Sequence, residues 1–177
     1  MPISFINTLT NSLPAISEYK TVFKNHILTK EGQVERNIYF IEKGAVRAFR
    51  ITDTEEQTIR LGYEGSFITS LSSLLTQQPS EFYIEAIRKT SMYIINKKQL
   101  DELINVNMES VQQYNALLEN LIVQQMEREI DLLTASPSER LARVLVRSPN
   151  LFQQVPLKYI ASYLRMTPET LSRIRNS

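Results

Sequence analysis

The residues best suited to recognising a partner lie near the end of the chain, in PLKYIASYLRMTPETLSRIRN, residues 156–176. Glu169 and Arg173 stand four apart, one turn of a helix. An Arg there can donate two hydrogen bonds to guanine, and a Glu can accept from the cytosine amino group. Lys158, Thr170 and Ser172 suit phosphate contacts, which position a protein on a duplex without reading sequence. Thr167 and Arg175 complete the candidate DNA-binding set. Apolar spacing accounts for how such residues are held. Ile160, Ala161 and Leu164 lie on a helix opened by Pro156. Residues 165–167 form a turn. Thr167 caps a second helix, with Pro168 at its first position and Glu169 near its positive end. With Met166, Leu171 and Ile174 the apolar residues make a small shared core, and Ala161 allows the two helices to cross closely. This is helix-turn-helix spacing. One residue departs from the usual pattern. The left-handed turn position commonly holds Gly, and here it is Arg165, at a cost of about 1 kcal/mol.

Net charge of +1 hides an uneven distribution. Residues 136–177 carry 7 Lys+Arg against 2 Asp+Glu, and residues 1–135 carry 13 against 17. A basic terminal segment on an acidic body fits a nucleic-acid partner. A plain solvated helix hairpin would also show charged outer faces. It does not account for the complete turn spacing, or for six of the seven cations being Arg.

Other chemistry is excluded by composition. The 177 residues contain no Cys, one His (His26) and four Gly. Thiolate iron–sulfur and Cys-based zinc sites, multi-His metal sites, Cys nucleophiles and Gly-rich phosphate loops therefore cannot be assembled. No catalytic spacing is visible among Asp, Glu, Lys, Tyr and Ser, so the chain is read as a non-enzyme. No cofactor and no metal are expected. With no long apolar run and no signal-peptide pattern, a cytoplasmic protein without a membrane partner is expected.

The elements ahead of this segment fall into two textures. Residues 20–96 alternate short apolar runs with turns about every ten residues, which predicts a β-sandwich or barrel. Residues 37–41, 45–51 and 57–61 are strands, and residues 82–95 supply the last ones. Residues 1–19 predict short helical turns interrupted by Pro14. From Lys98 to Leu133 the pattern is helical, with a break at residues 105–107. It carries two apolar lines: Val111, Tyr114, Leu118, Leu121 and Gln125 on one, Ala116, Val123 and Ile130 on the other, flanked by Met126 and Leu133. Two lines imply two neighbours, the chain's own β domain and a partner copy. Tyr114, Leu118, Leu121 and Gln125 are the expected dimer seam. Ser136, Pro137 and Glu139 begin a further helix with a capping box, its Arg140, Arg143 and Arg147 opposite Leu141, Val144 and Leu145.

Three stretches resemble the Crp–Fnr (catabolite-activator/FNR) family of bacterial transcription regulators. Gly32 and the run Ile38-Tyr39-Phe40-Ile41, followed by Gly44-Ala45-Val46-Arg47, look like the cyclic-nucleotide-binding signature. Residues 138–142, SERLA, resemble the segment after the dimer helix. Residues 167–174, TPETLSRI, resemble the recognition helix. The resemblance implies an α+β fold: an N-terminal, jelly-roll-like β-roll resembling a cyclic-nucleotide-binding domain at 1–97, a dimerisation helix at 98–135, and a helix-turn-helix with a reduced wing at 136–177. It implies a homodimeric, sequence-specific DNA-binding regulator whose partners are double-stranded DNA, a second copy and RNA polymerase. The ligand cassette departs from the family pattern. Thr69-Ser70-Leu71 and Ser80-Glu81-Phe82 stand where a sugar-binding Glu and a phosphate-binding Arg belong, so cyclic-AMP binding is not expected. A small-molecule effector pocket, if retained, would draw on Phe67, Ser70, Ser72, Ser73, Ser80, Tyr83 and Glu85. The competing reading is that residues 72–78 are simply a polar loop. The alternative function is a small-molecule sensor acting through protein contacts, with a vestigial DNA-binding head.

Overall fold

The computed structural model describes residues 3–53 and 55–176. Helix α1 (Ile3–Ile16) leads into eight strands: β1 (Glu18–Val22), β2 (Ile27–Thr29), β3 (Asn37–Lys43), β4 (Ala45–Ile51), β5 (Glu56–Tyr63), β6 (Phe67–Ile68), β7 (Tyr83–Ala86) and β8 (Thr90–Asn96), with helix α2 (Leu71–Thr76) between β6 and β7. Helices α3 (Lys97–Ile104), α4 (Met108–Leu133), α5 (Pro137–Arg147), α6 (Leu151–Gln154), α7 (Leu157–Tyr163) and α8 (Pro168–Asn176) follow. Pro14 lies within α1 rather than interrupting it. The predicted polar loop over residues 72–78 is in large part helix α2; its Ser and Gln residues obscured the one turn that Leu71, Leu74 and Leu75 make.

The strands form two antiparallel four-stranded sheets, ordered β1-β8-β3-β6 and β2-β7-β4-β5. The expected β-roll is present. Period-two alternation sends Val22, Ile41, Val46, Ile84 and Met92 between the sheets, where all are buried. Gly44 makes the β3–β4 turn at φ 103°, and a Cβ there would stand 2.5 Å from the Lys89 carbonyl oxygen, so a side chain is doubly disfavoured.

The helices complete two further cores. Leu9 and Leu13 of α1, Leu100 and Ile104 of α3, and Val111, Tyr114 and Leu117 of α4 cover one sheet through Phe40, Phe67 and Tyr93. The second core joins the C-terminal helices to the other sheet. Leu141, Val144, Leu151, Ile160, Leu164 and Leu171 pack with Ala45 and Ile87 of the β-roll. The break at residues 105–107 separates α3 from α4, and the Asn107 side chain accepts from the Ser110 N–H to cap α4. Ser136 caps α5 through the Glu139 N–H at 3.4 Å, but the return bond of a capping box is not made. Between α5 and α7 the chain makes a single helical turn, α6, and no strand is described in that stretch.

Candidate nucleic-acid interface

Helices α7 and α8 are joined by Leu164, Arg165, Met166 and Thr167. Ile160, Ala161, Leu164 and Leu171 are fully buried between them, and Met166 and Ile174 close the edges. The Thr170 N–H donates to Thr167 Oγ1 at 3.2 Å, the expected cap. Arg165 is in the left-handed region at φ 55°, as the turn demands. Burial of the inner face leaves Glu169, Arg173, Arg175 and Asn176 exposed, with Ser172 and Thr170 half-buried beside them. Pro168, Glu169, Ser172, Arg173 and Asn176 line one open surface along α8. Lys158 is also exposed, its Nζ 4.6 Å from the Tyr159 ring centre. The Glu169 carboxyl is held below the usual carboxylate range by its own backbone N–H and by Thr167. It is therefore ionised at neutral pH and able to accept hydrogen bonds.

The basic segment is less free than its composition suggests. Arg140 is buried, and its guanidinium donates to the carbonyls of Leu164 at 2.6 Å, Arg165 at 3.2 Å and Thr134 at 2.8 Å. Arg143 donates to Asp131 at 3.0 Å and to Glu127 at 2.8 Å. Arg147 reaches the same two carboxylates. Asp131 is fully buried beneath that pair. Three of the seven cations therefore brace the head on α4, leaving Lys158, Arg165, Arg173 and Arg175 exposed toward a partner. The amphipathic spacing of α5 placed its arginines on the outer face. It did not show that the acidic side of α4 covers that face.

Arg128 of α4 was not legible as part of this arrangement. It is buried, donates to the Tyr163 carbonyl, and its guanidinium lies 3.7 Å from the Tyr163 ring centre. Arg128 and Arg140 thus occupy successive carbonyls at the end of α7, which helical hydrogen bonding leaves without partners. The carbonyl of Arg165, the residue in the left-handed conformation, is one of those that Arg140 bonds. Ser162 ties α7 to the β-roll: its Oγ accepts from the Thr58 N–H at 2.9 Å and donates to the Glu56 carbonyl at 3.3 Å. Arg47 of β4 adds a second tie. It pairs with Glu85 at 2.8 Å and lies between the rings of Phe49 and Tyr159, at 4.0 Å and 4.7 Å.

The expected effector residues are brought together only in part. Phe67 packs on Phe40 at 4.8 Å, Tyr83 stacks on Phe49 at 5.3 Å, Glu85 is held by Arg47, and Ser72 is exposed. Ser70, Ser73 and Ser80 are buried, and their hydroxyls are used within the protein: Ser80 with Ser70 at 2.9 Å, and Ser73 accepting from the Glu35 N–H at 2.8 Å. Glu35 is itself buried. Its carboxylate accepts from Thr29 and from the N–H groups of Arg36 and Asn37, each at 2.9 Å. The seam residues also divide. Tyr114 packs with Val111 and Leu117 against the chain's own β-roll, Leu118 and Leu121 are half-buried, and Gln125 accepts from Arg60 of β5. The apolar side chains of α4 left open are Met108 at its start and, in its second half, Ile122, Val123, Met126, Ile130, Leu132 and Leu133. His26 is exposed in the β1–β2 turn. Among the described residues no helix is long and apolar enough to cross a membrane, and no group of His, Asp and Glu could hold a metal ion.

Comparison with known proteins agrees with this architecture. Residues 19–107, half of the chain, match the cyclic nucleotide-binding domain family. The chain is 25% identical over 170 residues to the fumarate and nitrate reduction regulatory protein of Vibrio cholerae, covering 90% of this chain and 68% of that one. It is 26% identical over 174 residues to the anaerobic regulatory protein of Aggregatibacter actinomycetemcomitans, covering 90% and 66%. The chain thus spans about two thirds of each relative. Among solved structures, FixK2 from Bradyrhizobium japonicum superposes with a TM-score of 0.76 at 18% identity, covering 91% of this chain and 83% of that one. Both curated relatives are named as regulatory proteins. With a β-roll that matches the family, a long helix after it and a helix-turn-helix at its end, the chain belongs to the cyclic nucleotide-binding domain family, in its Crp–Fnr branch of transcription regulators.

Proposed function

We propose that this chain is a homodimeric regulator that reads a two-fold symmetric DNA site through α8. The observation that carries this reading is the open outer face of α8, with Glu169 and Arg173 exposed while Leu171 beneath them is fully buried. Bidentate Arg–guanine recognition is worth about 1–3 kcal/mol of base discrimination. The dimer rests on the open stripe of α4. Val123, Met126, Ile130 and Leu133 recur at spacings of three and four, so the second apolar line, rather than Tyr114 and Gln125, forms the proposed seam. Two recognition helices would then enter successive major grooves, about 34 Å apart.

The β-roll is proposed not to bind cyclic AMP. A buried phosphodiester needs a cationic partner. The residues at the cassette positions supply none, and the hydroxyls of Ser70, Ser73 and Ser80 already serve one another and Glu35. Titration calorimetry with cyclic AMP should register no heat of binding, and micromolar binding would refute this part. The DNA reading is tested by measuring Arg173→Ala on a selected site. Specific affinity should fall by about 5- to 150-fold, the equivalent of 1–3 kcal/mol, with binding to random duplex changed far less. Equal loss on both would assign Arg173 to the DNA backbone instead of a base.

A further inference from the structure

We propose that the β-roll itself reaches the DNA: Arg50 on β4 and Arg165 in the helix-turn-helix turn line one cleft and together hold a phosphate of the DNA backbone. The proposal rests on the DNA-binding reading and adds to it a contact from outside the helix-turn-helix.

The cleft, of about 450 Å³, runs between the β4–β5 hairpin and the turn. Arg50, Asp53, Gln57 and Ile59 form the hairpin wall, and Arg165 forms the other. Two arginines and one aspartate thus line it. Both arginines are exposed, and among the described residues neither side chain makes a hydrogen bond or ion pair. That separates them from Arg140, Arg143 and Arg147, whose guanidinium groups brace the head. The neighbourhood is positive beyond the cleft wall. Burial, foremost, holds the Arg128 pKa below the ordinary arginine value, and the charges of Arg165 and Arg60 push it the same way, so three guanidinium groups crowd this junction. Asp131, whose charge acts on Arg128 in the opposite sense, is already shared between Arg143 and Arg147. A bound phosphate would relieve that repulsion.

Position selects the DNA backbone as its source. Arg165 lies two residues past the end of α7 at Tyr163 and three residues before α8 begins at Pro168. In helix-turn-helix docking the first helix crosses the phosphate backbone while the start of the second meets base edges. The turn between them faces the strand at the rim of the groove, and Arg50 faces the same cleft from the hairpin. Arg165 also holds a backbone conformation in which Gly is at ease and Arg is not. A strained residue is an invitation to look for a role, and the phosphate contact supplies one.

The test uses the full chain and three variants, Arg50→Gln, Arg50→Lys and Arg36→Gln, the last an exposed arginine elsewhere on the β-roll. Affinity for a random-sequence duplex is measured by fluorescence anisotropy across a range of salt concentrations. Loss of one phosphate contact should lower affinity about 5- to 10-fold near 0.1 M salt and reduce the slope of log K against log salt by about 0.9. Arg50→Gln should show both effects, and Arg50→Lys and Arg36→Gln should keep slopes near that of the parent. A parent slope for Arg50→Gln, with its melting temperature unchanged, overturns the proposal. A thermal shift on adding inorganic phosphate that Arg50→Gln abolishes, with the DNA slope retained, would assign the cleft to a free anion and also overturn it. If the parent chain binds no duplex at all, the DNA reading falls and this contact with it.

Discussion

Arg165→Gly should make the protein more stable and a weaker DNA binder at once. Arg165 lies at φ 55°, where a side chain meets its own backbone and Gly does not. Relief of that strain is worth about 1 kcal/mol. The turn around it is otherwise unchanged, because Arg140 bonds the Leu164 and Arg165 carbonyls from α5 and the Met166 N–H donates to the Ala161 carbonyl at 3.1 Å. For a chain of this length, 1 kcal/mol corresponds to a rise of about 2–4 °C in melting temperature. Arg165→Ala is the companion variant. It removes the same charge and keeps the left-handed strain, so its melting temperature should stay near that of the parent. Both variants should lose the same phosphate contact, about 5- to 10-fold in affinity near 0.1 M salt. The assay pairs thermal melting followed by circular dichroism with anisotropy titration of a random duplex. If Arg165→Gly melts at or below the parent, packing of the arginine stem against the hairpin outweighs strain and the backbone argument fails. If both variants bind as tightly as the parent, Arg165 takes no part in the interface.

Three further outcomes follow from the packing. Asp131→Asn removes the buried carboxylate shared by Arg143 and Arg147, and because both arginines keep about 30% of their side-chain surface exposed, the loss should be about 2–3 kcal/mol in urea unfolding, the low end for a broken buried pair. Met126→Asp puts a charge in the open stripe of α4; light scattering should report a monomer, and a persistent dimer would place the seam elsewhere. The Tyr39 phenol is pushed up to about 12, first by burial and then by the negative charge of Glu35. A folded-state pKa raised above the unfolded value of 10.0 adds stability that is fully present below pH 10 and is lost as pH rises toward 12. Tyr39→Phe should therefore flatten the alkaline loss of stability across that window, and an unchanged alkaline limb would show that Tyr39 is not closed against Glu35.

Local chemistry and periodicity made much of this molecule readable. The alternation over residues 45–51 marks β4 end to end, and Pro168, Thr167 and Leu171 mark α8 because caps and apolar spacing act within a few residues. Contacts made across the fold were not readable. The arginines of α5 look like a DNA-facing surface until Glu127 and Asp131, more than a helical turn away in another element, are seen to cover them. The two apolar lines of α4 are equivalent in sequence. Only the β-roll, by taking Val111, Tyr114 and Leu117, decides which one is left open. The cassette serines could be placed near a ligand by resemblance alone. Their mutual hydrogen bonds with the buried Glu35 depend on how β3, α2 and β7 meet.

The account stands most directly on what α8 does as one of a pair. Selection of bound duplexes from a random pool by the full chain, followed by sequencing, tests it in one step. The predicted result is an enriched two-fold symmetric site whose half-sites lie about 10 base pairs apart, centre to centre, lost when Arg173 is replaced by Ala. Absence of any enriched sequence, or an enriched single half-site unaffected by Arg173→Ala, would contradict it.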